Sequence, residues 1–443
     1  MEDELTQHRD VELLAIGGGP SNLALAIALD ELASDDFASR SLVIEQNETV
    51  AWQRGMLLPW TRAQVSFLKD LVTLRNPCSR FSFLNYLHSV GRLDDFVNLG
   101  TFTPYRSEIS QYLQWAANSL SRVRIEYGRR CVSVQPRRDP DGTLSGWLTR
   151  LSDGSTIGSR FLTIAVGRDP HVPEVFAGLP AARLVHSSEY LPRIAGLPEE
   201  LPRDRPYRVA VIGGAQSAAE MVHAVQQDLP DSQVAMVMRS IGLNNYESSK
   251  FTNELYYPSF IDDFFRAGPQ AREQLLQEMH RTNYAGLAPA LLDALYQQVY
   301  QERLSGRQRL RLMTMTDIAG ARMDGDEVVL DLTDRLHDTV TELRCDVVLL
   351  GTGFVRRMPW LVRHLAAELG IDDITVSREY RLVVDGPATA ACYLQGVNEA
   401  THGIADSLLS VLATRASEIA ADVLVHQHTG PVPSLATEPL LSS

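Results

Sequence analysis

The chain has few cysteines, and none of them are paired in sequence. Its four cysteines show neither a Cys-x-x-Cys pair nor the cysteine and histidine spacing of a metal site; they are Cys78, Cys131, Cys345 and Cys392. Flavoproteins that reduce disulfides need two closely spaced thiols, and zinc or iron–sulfur sites need clustered ligands. The sequence therefore argues against these activities and predicts four reduced, mostly buried thiols.

Long apolar runs and a surplus of basic residues are also lacking. No run approaches the roughly 18 apolar residues of a membrane helix, and residues 1–10 are acidic and polar, unlike a signal peptide. The net charge is −14, whereas nucleic-acid binding requires a basic surface. The composition predicts a cytoplasmic enzyme without a membrane span or a nucleic-acid partner, and 443 residues predict more than one domain.

Two distant stretches each combine a buried-type strand, a glycine turn and a helix. The first is residues 11–16 followed by Gly17-Gly18-Gly19-Pro20-Ser21-Asn22, and the second is residues 208–212 followed by Gly213-Gly214-Ala215-Gln216-Ser217-Ala218. Such turns direct backbone N–H groups at a helix N-terminus toward a pyrophosphate. One glycine string is weak evidence, but two predict an α/β fold with two Rossmann-like dinucleotide-binding domains.

The residue that ends the second strand of each unit indicates which nucleotide binds, because it lies beside the adenosine ribose. The strand 41–44 ends in Glu45, which accepts hydrogen bonds from ribose hydroxyls and repels a 2′-phosphate, and so suits FAD or NAD. The strand 234–238 ends in Arg239, whose guanidinium suits the 2′-phosphate of NADPH. Opposite charges at matched positions predict one FAD and one NADPH.

Hydrophobic patterns and turn residues organise the rest of the first domain. Residues 109–120 repeat apolar side chains at helical spacing. Short strands at 124–135 and 146–151 flank a turn-rich link at 136–142. Residues 161–167 are typical of a buried strand that ends in glycine. Crowded prolines at 191–206 exclude a helix or a central strand and predict a hinge into the NADPH domain.

The later part of the chain departs from this alternation of strand and helix. A polar, aromatic-rich stretch at about 244–304 has helical patterns and predicts an insertion in a substrate pocket. The strand 346–350 enters Gly351-Thr352-Gly353, a turn that returns the chain to the flavin domain. We therefore predict that residues 1–200 and 346–430 form the FAD domain, that 201–345 form the NADPH domain with its insertion, and that 431–443 are a disordered tail.

Several further motifs carry a family resemblance. They are residues 64–77 (QVSFLKDLVTLRNP), residues 81–87, Gln216-Ser-Ala-Ala-Glu220, Thr282-Asn283-Tyr284, and Thr401-His402-Gly403 before Leu408-Leu409-Ser410. With the first glycine turn, this ordered set resembles the microbial N-hydroxylating monooxygenases of L-ornithine or L-lysine. The resemblance runs from about Val11 to Ile419 and is closest to the ornithine hydroxylases of hydroxamate siderophore pathways.

The resemblance implies cofactors and a reaction. NADPH reduces FAD, the reduced flavin captures O2 as a flavin hydroperoxide, and the neutral side-chain amine of L-ornithine attacks the distal oxygen. It also implies a homo-oligomer, typically a tetramer.

The resemblance implies site residues as well. Lys69, Asn253 and Asn283 would hold the amino-acid end of the substrate, and Ser410 would lie near the flavin and the reacting end. Lys69 has apolar neighbours, as a cationic partner for a carboxylate in a partly dry pocket needs. Gln64 would stabilise the hydroperoxide, because an amide donates a hydrogen bond without delivering its proton. The expected catalytic residues are Gln64 and Ser410.

The residues expected around the two cofactors come from the same motifs. They are Gly17, Gly19, Pro20, Asn22, Glu45, Trp52, Gln53, Gln64, Gly213, Gln216, Ser217, Arg239, Asp406 and Leu409. His402, beside Gly403, is expected to be structural rather than a catalytic base.

Three positions depart from the family's pattern. Ala215 replaces the second glycine of the NADPH turn, Gln53 replaces the usual histidine after Trp52, and Ala-Gly-Leu-Ala follows Tyr284 in place of Ser-Val-Val-Asp. Lysine or a diamine therefore remains an alternative substrate. His186-Ser-Ser-Glu-Tyr190 matches the ending of Baeyer–Villiger and flavin-containing monooxygenases, a second alternative, and Ala215 leaves a non-catalytic flavin-binding partner as a third.

Overall fold

The computed structural model describes residues 8–201, 204–246, 249–284 and 286–427, and only the backbone of residues 281–283. The predicted tail at 431–443 lies outside this range. The strands are β1 His8–Ile16, β2 Ser41–Ile44, β3 Arg124–Glu126, β4 Cys131–Arg138, β5 Leu144–Leu151, β6 Thr156–Ile164, β7 Leu184–His186, β8 Arg208–Ile212, β9 Gln233–Val237, β10 Leu310–Met313, β11 Thr316–Asp324, β12 Glu327–Asp334, β13 Thr339–Cys345, β14 Val347–Leu350 and β15 Ala391–Leu394.

Helices cover the sheets and form most of the insertion. They are α1 Pro20–Leu32, α2 Asp35–Ser39, α3 Phe83–Ser89, α4 Leu93–Leu99, α5 Arg106–Asn118, α6 Tyr190–Ile194, α7 Leu197–Glu200, α8 Gln216–Asp228, α9 Lys250–Glu254, α10 Pro258–Arg266, α11 Pro269–Asn283, α12 Pro289–Ser305, α13 Trp360–Leu369, α14 Glu399–His402 and α15 Leu412–His426.

The first sheet is built around a parallel core. Strands β3, β2, β1 and β6 are adjacent and parallel, and β15 adds to the carboxyl half of β6. The antiparallel β4–β5 hairpin pairs with the amino half of β6. Helices α1, α5 and α15 cover one face, where Leu23, Ile27 and Ile419 are fully buried. The strands are hydrophobic throughout because both faces of a parallel sheet are covered.

The second sheet repeats this arrangement with all strands parallel. Its order is β10, β9, β8, β14 and β7, so β8 and its neighbours repeat the arrangement of β1 and its neighbours in the first sheet. Each sheet therefore contains the Rossmann-type half unit in which a first strand leads through a turn into a helix. The prediction of an α/β fold with two such units is confirmed.

The insertion and a small third sheet complete the second half of the chain. Helices α9 to α12 lie between β9 and β10. Strands β11, β12 and β13 form an antiparallel sheet that packs on the second sheet through Val328, Leu330 and Leu332. In the insertion, Ile261 and Met279 pack against Ile404 and Val411 of the C-terminal segment. The insertion therefore contacts the segment that precedes α15.

Local predictions hold with shifted boundaries, apart from the proline-rich segment. The predicted strand at 161–167 ends at Ile164, and the predicted helix at 109–120 is α5. Pro136 lies inside β4 rather than in the hairpin turn, because β4 is an edge strand that tolerates a missing N–H. Within 191–206 the structure forms α6 and α7, so the exclusion of a helix there is wrong. Pro192 and Pro198 occupy the first turns, where an N–H has no helical partner.

Sheet membership differs from the predicted domain boundaries at two places. Strand β7 falls in 1–200 and β14 falls in 346–430, yet both pair within the second sheet. Strand β15 then returns the chain to the first sheet. The division into an FAD domain and an NADPH domain stays a prediction, with these two strands on the other side of its boundaries.

The cysteines match their prediction in part. All four thiols are unpaired; Cys345 and Cys392 are buried, whereas Cys131 is half-buried and Cys78 is exposed. Burial raises the pKa of both Cys131 and Cys345 to about 12, so neither is a ready thiolate. Within the described ranges no group of histidine, cysteine and acidic residues could bind a metal ion. No helix in that part of the chain has the length and apolar character to cross a membrane.

The two sheet units meet across a close and partly charged contact. A Cβ atom on Gly55 would lie 2.2 Å from the backbone of Ser188, so the loop after β2 packs directly against the second unit. In the same contact, Arg106 of α5 donates two hydrogen bonds of 2.7 and 2.6 Å to Glu220 of α8. Their side chains are only 6% and 1% exposed. Two charges removed from water must remain paired, and this pair fixes α8 against α5.

We expect Glu220→Ala to lower the free energy of unfolding by about 3–5 kcal/mol, because it leaves the Arg106 guanidinium buried without its partner. Urea unfolding of the purified protein measures this. The matched control is Asp331→Ala, which breaks the exposed Arg322 pair and should cost less than about 1 kcal/mol. The double variant Arg106→Met/Glu220→Leu should recover most of the loss. Equally small losses of unfolding free energy in Glu220→Ala and Asp331→Ala would contradict the interpretation.

Candidate active site

The first glycine turn joins β1 to α1 in a tightly packed conformation. Gly17 has φ +95°, and a Cβ atom there would lie 2.6 Å from the carbonyl oxygen of Ala165. Only glycine fits such a position without strain. At Gly19, by contrast, a Cβ atom would meet no atom within 4 Å. Pro20 then occupies the first turn of α1, where it needs no N–H partner. The turn thus leaves open space directly before a helix N-terminus.

Glu45 lies beside this turn, directly after β2. Its carboxylate accepts a hydrogen bond of 2.7 Å from the N–H of Gly18 and further ones from the backbone and side-chain amides of Asn47. The side chain is therefore held against the glycine turn, at the position expected for a ribose contact. Its assignment to the FAD ribose stays a proposal that this placement favours.

Asn22, expected around the cofactor, uses its side chain within the protein. Its amide NH2 donates to the carbonyls of Ile16 and Gly17, and its Oδ1 accepts from Thr163 and Gln395. These four bonds fill the capacity of an asparagine amide. Asn22 thus ties the turn to β6 and to the residue after β15, and only its backbone remains for a cofactor.

The Asp406 side chain is also bonded within the protein. It is fully buried and accepts from Arg415 at 2.6 Å and from the N–H of Asn398 at 2.7 Å. Arg415 in turn donates to Ser21 in the first glycine turn at 2.8 Å. This ion pair therefore holds the segment before α15 against the turn. Leu409, three residues before α15, packs partly buried against the first core.

The second glycine turn joins β8 to α8 in the same way. Gly213 has φ +130°, and a Cβ atom there would lie 2.4 Å from the carbonyl of Gly351. Ala215 directly precedes α8 and has φ −116° and ψ −174°, extended backbone that any residue adopts. Its equivalent, Gly19, is extended as well. Alanine therefore fits the backbone of this turn, and Ser217 follows half-buried in the first turn of α8.

Gln216 connects this second turn to two other parts of the molecule. Its Nε2 donates to Glu220 at 2.7 Å, and its Oε1 accepts at 2.8 Å from the N–H of Ala288, which precedes α12. Because Glu220 also pairs with Arg106, Gln216 lies in a continuous network from α5 to the insertion. The sequence motif indicated Gln216, but no sequence signal indicated Arg106.

Arg239 is not at the position equivalent to Glu45. Gly17 donates to the carbonyl of Ile44, and Gly213 donates to the carbonyl of Val237, which ends β9. The residue equivalent to Glu45 is therefore Met238, which is buried, and Arg239 follows it with an exposed side chain. The expectation of opposite charges at matched positions is wrong by one residue, since β9 ends earlier than predicted. Because Met238 is apolar, the second unit has no carboxylate at this position to repel a 2′-phosphate.

Lys69, Ser410 and Tyr257 meet at one place, although they come from three separate segments. The Lys69 ammonium donates to the Ser410 hydroxyl at 3.2 Å and lies 4.8 Å from the centre of the Tyr257 ring. Burial lowers the pKa of Lys69. Among the described residues no carboxylate forms an ion pair with it. Tyr257 was not indicated by the sequence, although it lies just before Pro258 at the start of α10.

The other expected site residues lie in loops and at helix ends. Asn253 is exposed in α9, and Asn283 ends α11 with its side chain outside the described part. Gln64 is exposed in the loop before Lys69. Trp52 is half-buried, and its backbone N–H donates to the Ser110 hydroxyl. Gln53 is exposed and has φ +52°, which is strained for a residue other than glycine.

The residue after Asn283 belongs to a polar cluster. Tyr284 donates to the Glu399 carboxylate and lies 3.0 Å from the Ser407 hydroxyl. Arg168, which follows β6 and its turn, forms an ion pair of 3.3 Å with the same Glu399. The end of α11 is therefore tied to the segment that carries Ser410.

The histidines that could suggest other chemistry have structural contacts. His402 is buried, stacks on Tyr380 at 4.1 Å and contacts the carbonyl of Arg378. Burial lowers the pKa of His402 to about 4, so it is neutral. His186 contacts the carbonyl of Gly353, and Tyr190 donates to Asp228. Both side chains of the His-x-x-x-Tyr ending are thus engaged within the protein.

Both turns fit a dinucleotide. In each, the backbone is so close to a neighbouring loop that a Cβ atom at Gly17 or Gly213 would clash, which leaves main-chain N–H groups at a helix N-terminus. Above the first turn the space at Gly19 is open. The residues present could therefore hold FAD at the first turn and a nicotinamide nucleotide at the second.

Comparison with known proteins agrees with this arrangement. Residues 9–356 match the family described as L-lysine 6-monooxygenase/L-ornithine 5-monooxygenase. An L-ornithine N(5)-monooxygenase of Pseudomonas aeruginosa is 36% identical over 98% of each chain. The solved structure of ornithine hydroxylase PvdA from Pseudomonas aeruginosa is 35% identical and has a TM-score of 0.87, covering 95% of this chain and 100% of that one.

A further solved structure is an ornithine N-hydroxylase from Kutzneria sp. 744 with reduced FAD, NADP+ and L-ornithine. It is 32% identical with a TM-score of 0.86, over 95% of this chain and all of that one. Two Rossmann-type units and these relatives define the class, a flavin-dependent N-hydroxylating monooxygenase. Within that class, the chain belongs to the L-lysine 6-monooxygenase/L-ornithine 5-monooxygenase family.

The neutral His402 predicts a pH dependence of stability. Its folded pKa of about 4 lies below the ordinary 6.5, so the unfolded chain takes up a proton first as the pH falls. We expect His402 to lower the free energy of unfolding progressively as the pH falls from 6.5 to 4, by about 3 kcal/mol in total. Urea unfolding of wild type and His402→Gln at pH 7.5, 6 and 5 tests this. The advantage of wild type over the variant should shrink at each step; a constant difference would contradict it.

Proposed function

We propose that this enzyme uses FAD and NADPH to hydroxylate the side-chain amine of L-ornithine, a step in making a hydroxamate siderophore or a related natural product. The observation that carries the proposal is the half-buried Lys69 ammonium, which contacts a hydroxyl and an aromatic ring. A cation in such a setting is stabilised by an anion that arrives with the ligand. The α-carboxylate of an amino acid supplies that anion.

The surrounding residues orient the rest of the substrate. Ser410, which the family resemblance placed near the flavin and the reacting end as a catalytic residue, lies 3.2 Å from the Lys69 ammonium. We therefore propose that it contacts the amino-acid end instead, where its hydroxyl can accept a hydrogen bond from the substrate's α-ammonium or donate one to its carboxylate. Asn253 and Asn283, at the ends of α9 and α11, are proposed to hold the same amino-acid end. The side-chain amine then extends away from Lys69 toward the flavin.

Bound FAD, reduced by NADPH, supplies the activated oxygen that the protein itself cannot provide. The protein would keep the substrate's side-chain amine neutral, hold it within reach of the activated oxygen, and limit the access of water to the flavin. We propose that Gln64 donates a hydrogen bond to the reacting oxygen, since an amide cannot release a proton there. The Tyr257 ring covers Lys69 on the side of the insertion.

The cofactor contacts are proposed on the geometry of the two turns. Gly17, Gly19, Pro20, Glu45, Trp52, Gln53, Gln64 and Leu409, with the backbone of Asn22, would hold FAD, and Gly213, Gln216, Ser217 and Arg239 would hold NADPH. Asp406 would act only through Arg415, because its carboxylate is bonded within the protein. The enzyme is further proposed to be a homo-oligomer in the cytoplasm, where a reducing compartment suits its four unpaired thiols.

Substitution of Lys69 tests the role of the carboxylate. Lys69→Met should raise the KM for L-ornithine about 10- to 100-fold, because a charge-assisted hydrogen bond is worth about 1.5–3 kcal/mol. Putrescine, which is ornithine without its carboxylate, should show no such change. Hydroxylamine formation and NADPH oxidation measure both. An equal rise in the KM values for L-ornithine and putrescine in Lys69→Met would contradict the assignment.

The chain offers a matched control, because its only other lysine is Lys250, which is exposed. Lys250→Met removes the same charge and should leave both KM values unchanged. Lysine and cadaverine complete the panel, and a higher kcat/KM for either than for ornithine would replace the proposed substrate. A protein that fails to bind FAD would overturn the proposal as a whole.

A further inference from the structure

A second arginine lies at the end of β9, beyond the one that the sequence indicated. The turn between β10 and β11 runs along the residues that follow β9. The N–H of Met315 donates to the carbonyl of Ser240 at 2.9 Å, and the N–H of Thr316 donates to the carbonyl of Met238 at 3.0 Å. The backbone at this edge of the second sheet is thus fixed on both sides of Arg239.

Arg335, from the turn between β12 and β13, reaches the same place. Its N–H donates to the carbonyl of Met315 at 2.9 Å, and its guanidinium donates to the carbonyl of Arg239. A second contact joins its Nε to Asp317 at 3.1 Å. Two guanidinium-bearing residues therefore meet at one backbone carbonyl, although they are distant in sequence.

This edge also borders the second glycine turn. A Cβ atom on Gly214 would lie 2.8 Å from the Ser240 hydroxyl and 3.3 Å from the Cβ of Met238. The adenosine ribose of a nucleotide on this turn lies at the end of the second strand of the unit. A phosphate on the 2′ oxygen of that ribose would therefore project toward the segment from Met238 to Ser240.

We propose that Arg335 is a second determinant of specificity for the 2′-phosphate of NADPH, acting together with Arg239. This inference rests on the proposed function, because it takes the nicotinamide nucleotide to bind at the second turn. Arginine suits the task, since a guanidinium has five donors and only two of them are used in the bonds to Arg239 and Asp317.

A change at Asp317 distinguishes a role of Arg335 in binding the phosphate from a purely structural role. Its pair with Arg335 leaves both side chains 42% exposed, and such a pair contributes little to stability. If Arg335 serves the phosphate, Asp317 competes with the phosphate for the guanidinium and opposes the incoming negative charge. If Arg335 merely holds the third sheet in place, Asp317 is its partner in that role. The two explanations predict opposite effects for a change at Asp317.

The experiment measures binding of NADP+ and NAD+ to the oxidised, FAD-loaded enzyme by calorimetry, with 2′,5′-ADP and ADP as probes of the phosphate alone. We expect Arg335→Gln to weaken NADP+ and 2′,5′-ADP about tenfold, because it removes charge-assisted hydrogen bonds. NAD+ and ADP should be unaffected. The loss should diminish as salt is added.

Asp317→Asn should strengthen NADP+ binding roughly two- to threefold and leave NAD+ binding unchanged, since two exposed unit charges interact only weakly. Arg322→Gln is the matched control. It removes one positive charge from the same small sheet, where Arg322 pairs with Asp331 and Glu342, and should change neither nucleotide.

An unchanged ratio of NADP+ to NAD+ affinity in Arg335→Gln would overturn the inference. Weaker NADP+ binding in both Arg335→Gln and Asp317→Asn would also overturn it, because it would assign the pair a structural role. If the wild-type enzyme binds neither nucleotide, the proposed function itself fails. These results are distinguishable in one series of titrations.

Discussion

The buried ion pair between Arg106 and Glu220 is the interaction on which the contact between the two sheet units depends. It joins the helix that covers the first sheet to the helix that starts at the second glycine turn, at a place where water cannot screen either charge. Glu220 also orients Gln216, which holds the backbone just before α12. One carboxylate thus links α5, the second glycine turn and, through Gln216, the start of α12, and it must stay paired because it is removed from water.

The two nucleotide-binding turns share a second constraint, which is close backbone approach. At Gly17 and Gly213 the chain lies so near a neighbouring loop that any side chain would clash, and both residues have positive φ. The third position of each turn is extended and carries no such constraint, which is why alanine can replace glycine at residue 215. Both turns therefore require glycine at their first position, but they differ in the residue that follows the second strand, which is Glu45 in the first unit and Met238 in the second.

The candidate substrate site is assembled from segments that are far apart in the chain. Lys69 precedes the second unit, Tyr257 lies in the insertion, and Ser410 follows the return to the first sheet. Asp406 and Arg415 connect this last segment to the first glycine turn, so the position of Ser410 is linked to that of the proposed flavin site. An ammonium among these groups is partly desolvated, and binding an anionic group is the most direct way to compensate that cost.

The sequence by itself determined the two strand–turn–helix units, the helical insertion and the family motifs, because these depend on local periodicity and on glycine at fixed positions. It also indicated Lys69 and Ser410. It could not show that the side chains of Asn22 and Asp406 are hydrogen-bonded within the protein, because long-range hydrogen bonds decide this. Nor could it show that Met238 rather than Arg239 is equivalent to Glu45, because that depends on strand register. Only the tertiary structure brought Arg335 to the end of β9 and Arg106 to Glu220, because contacts between distant segments arise from packing and not from spacing along the chain.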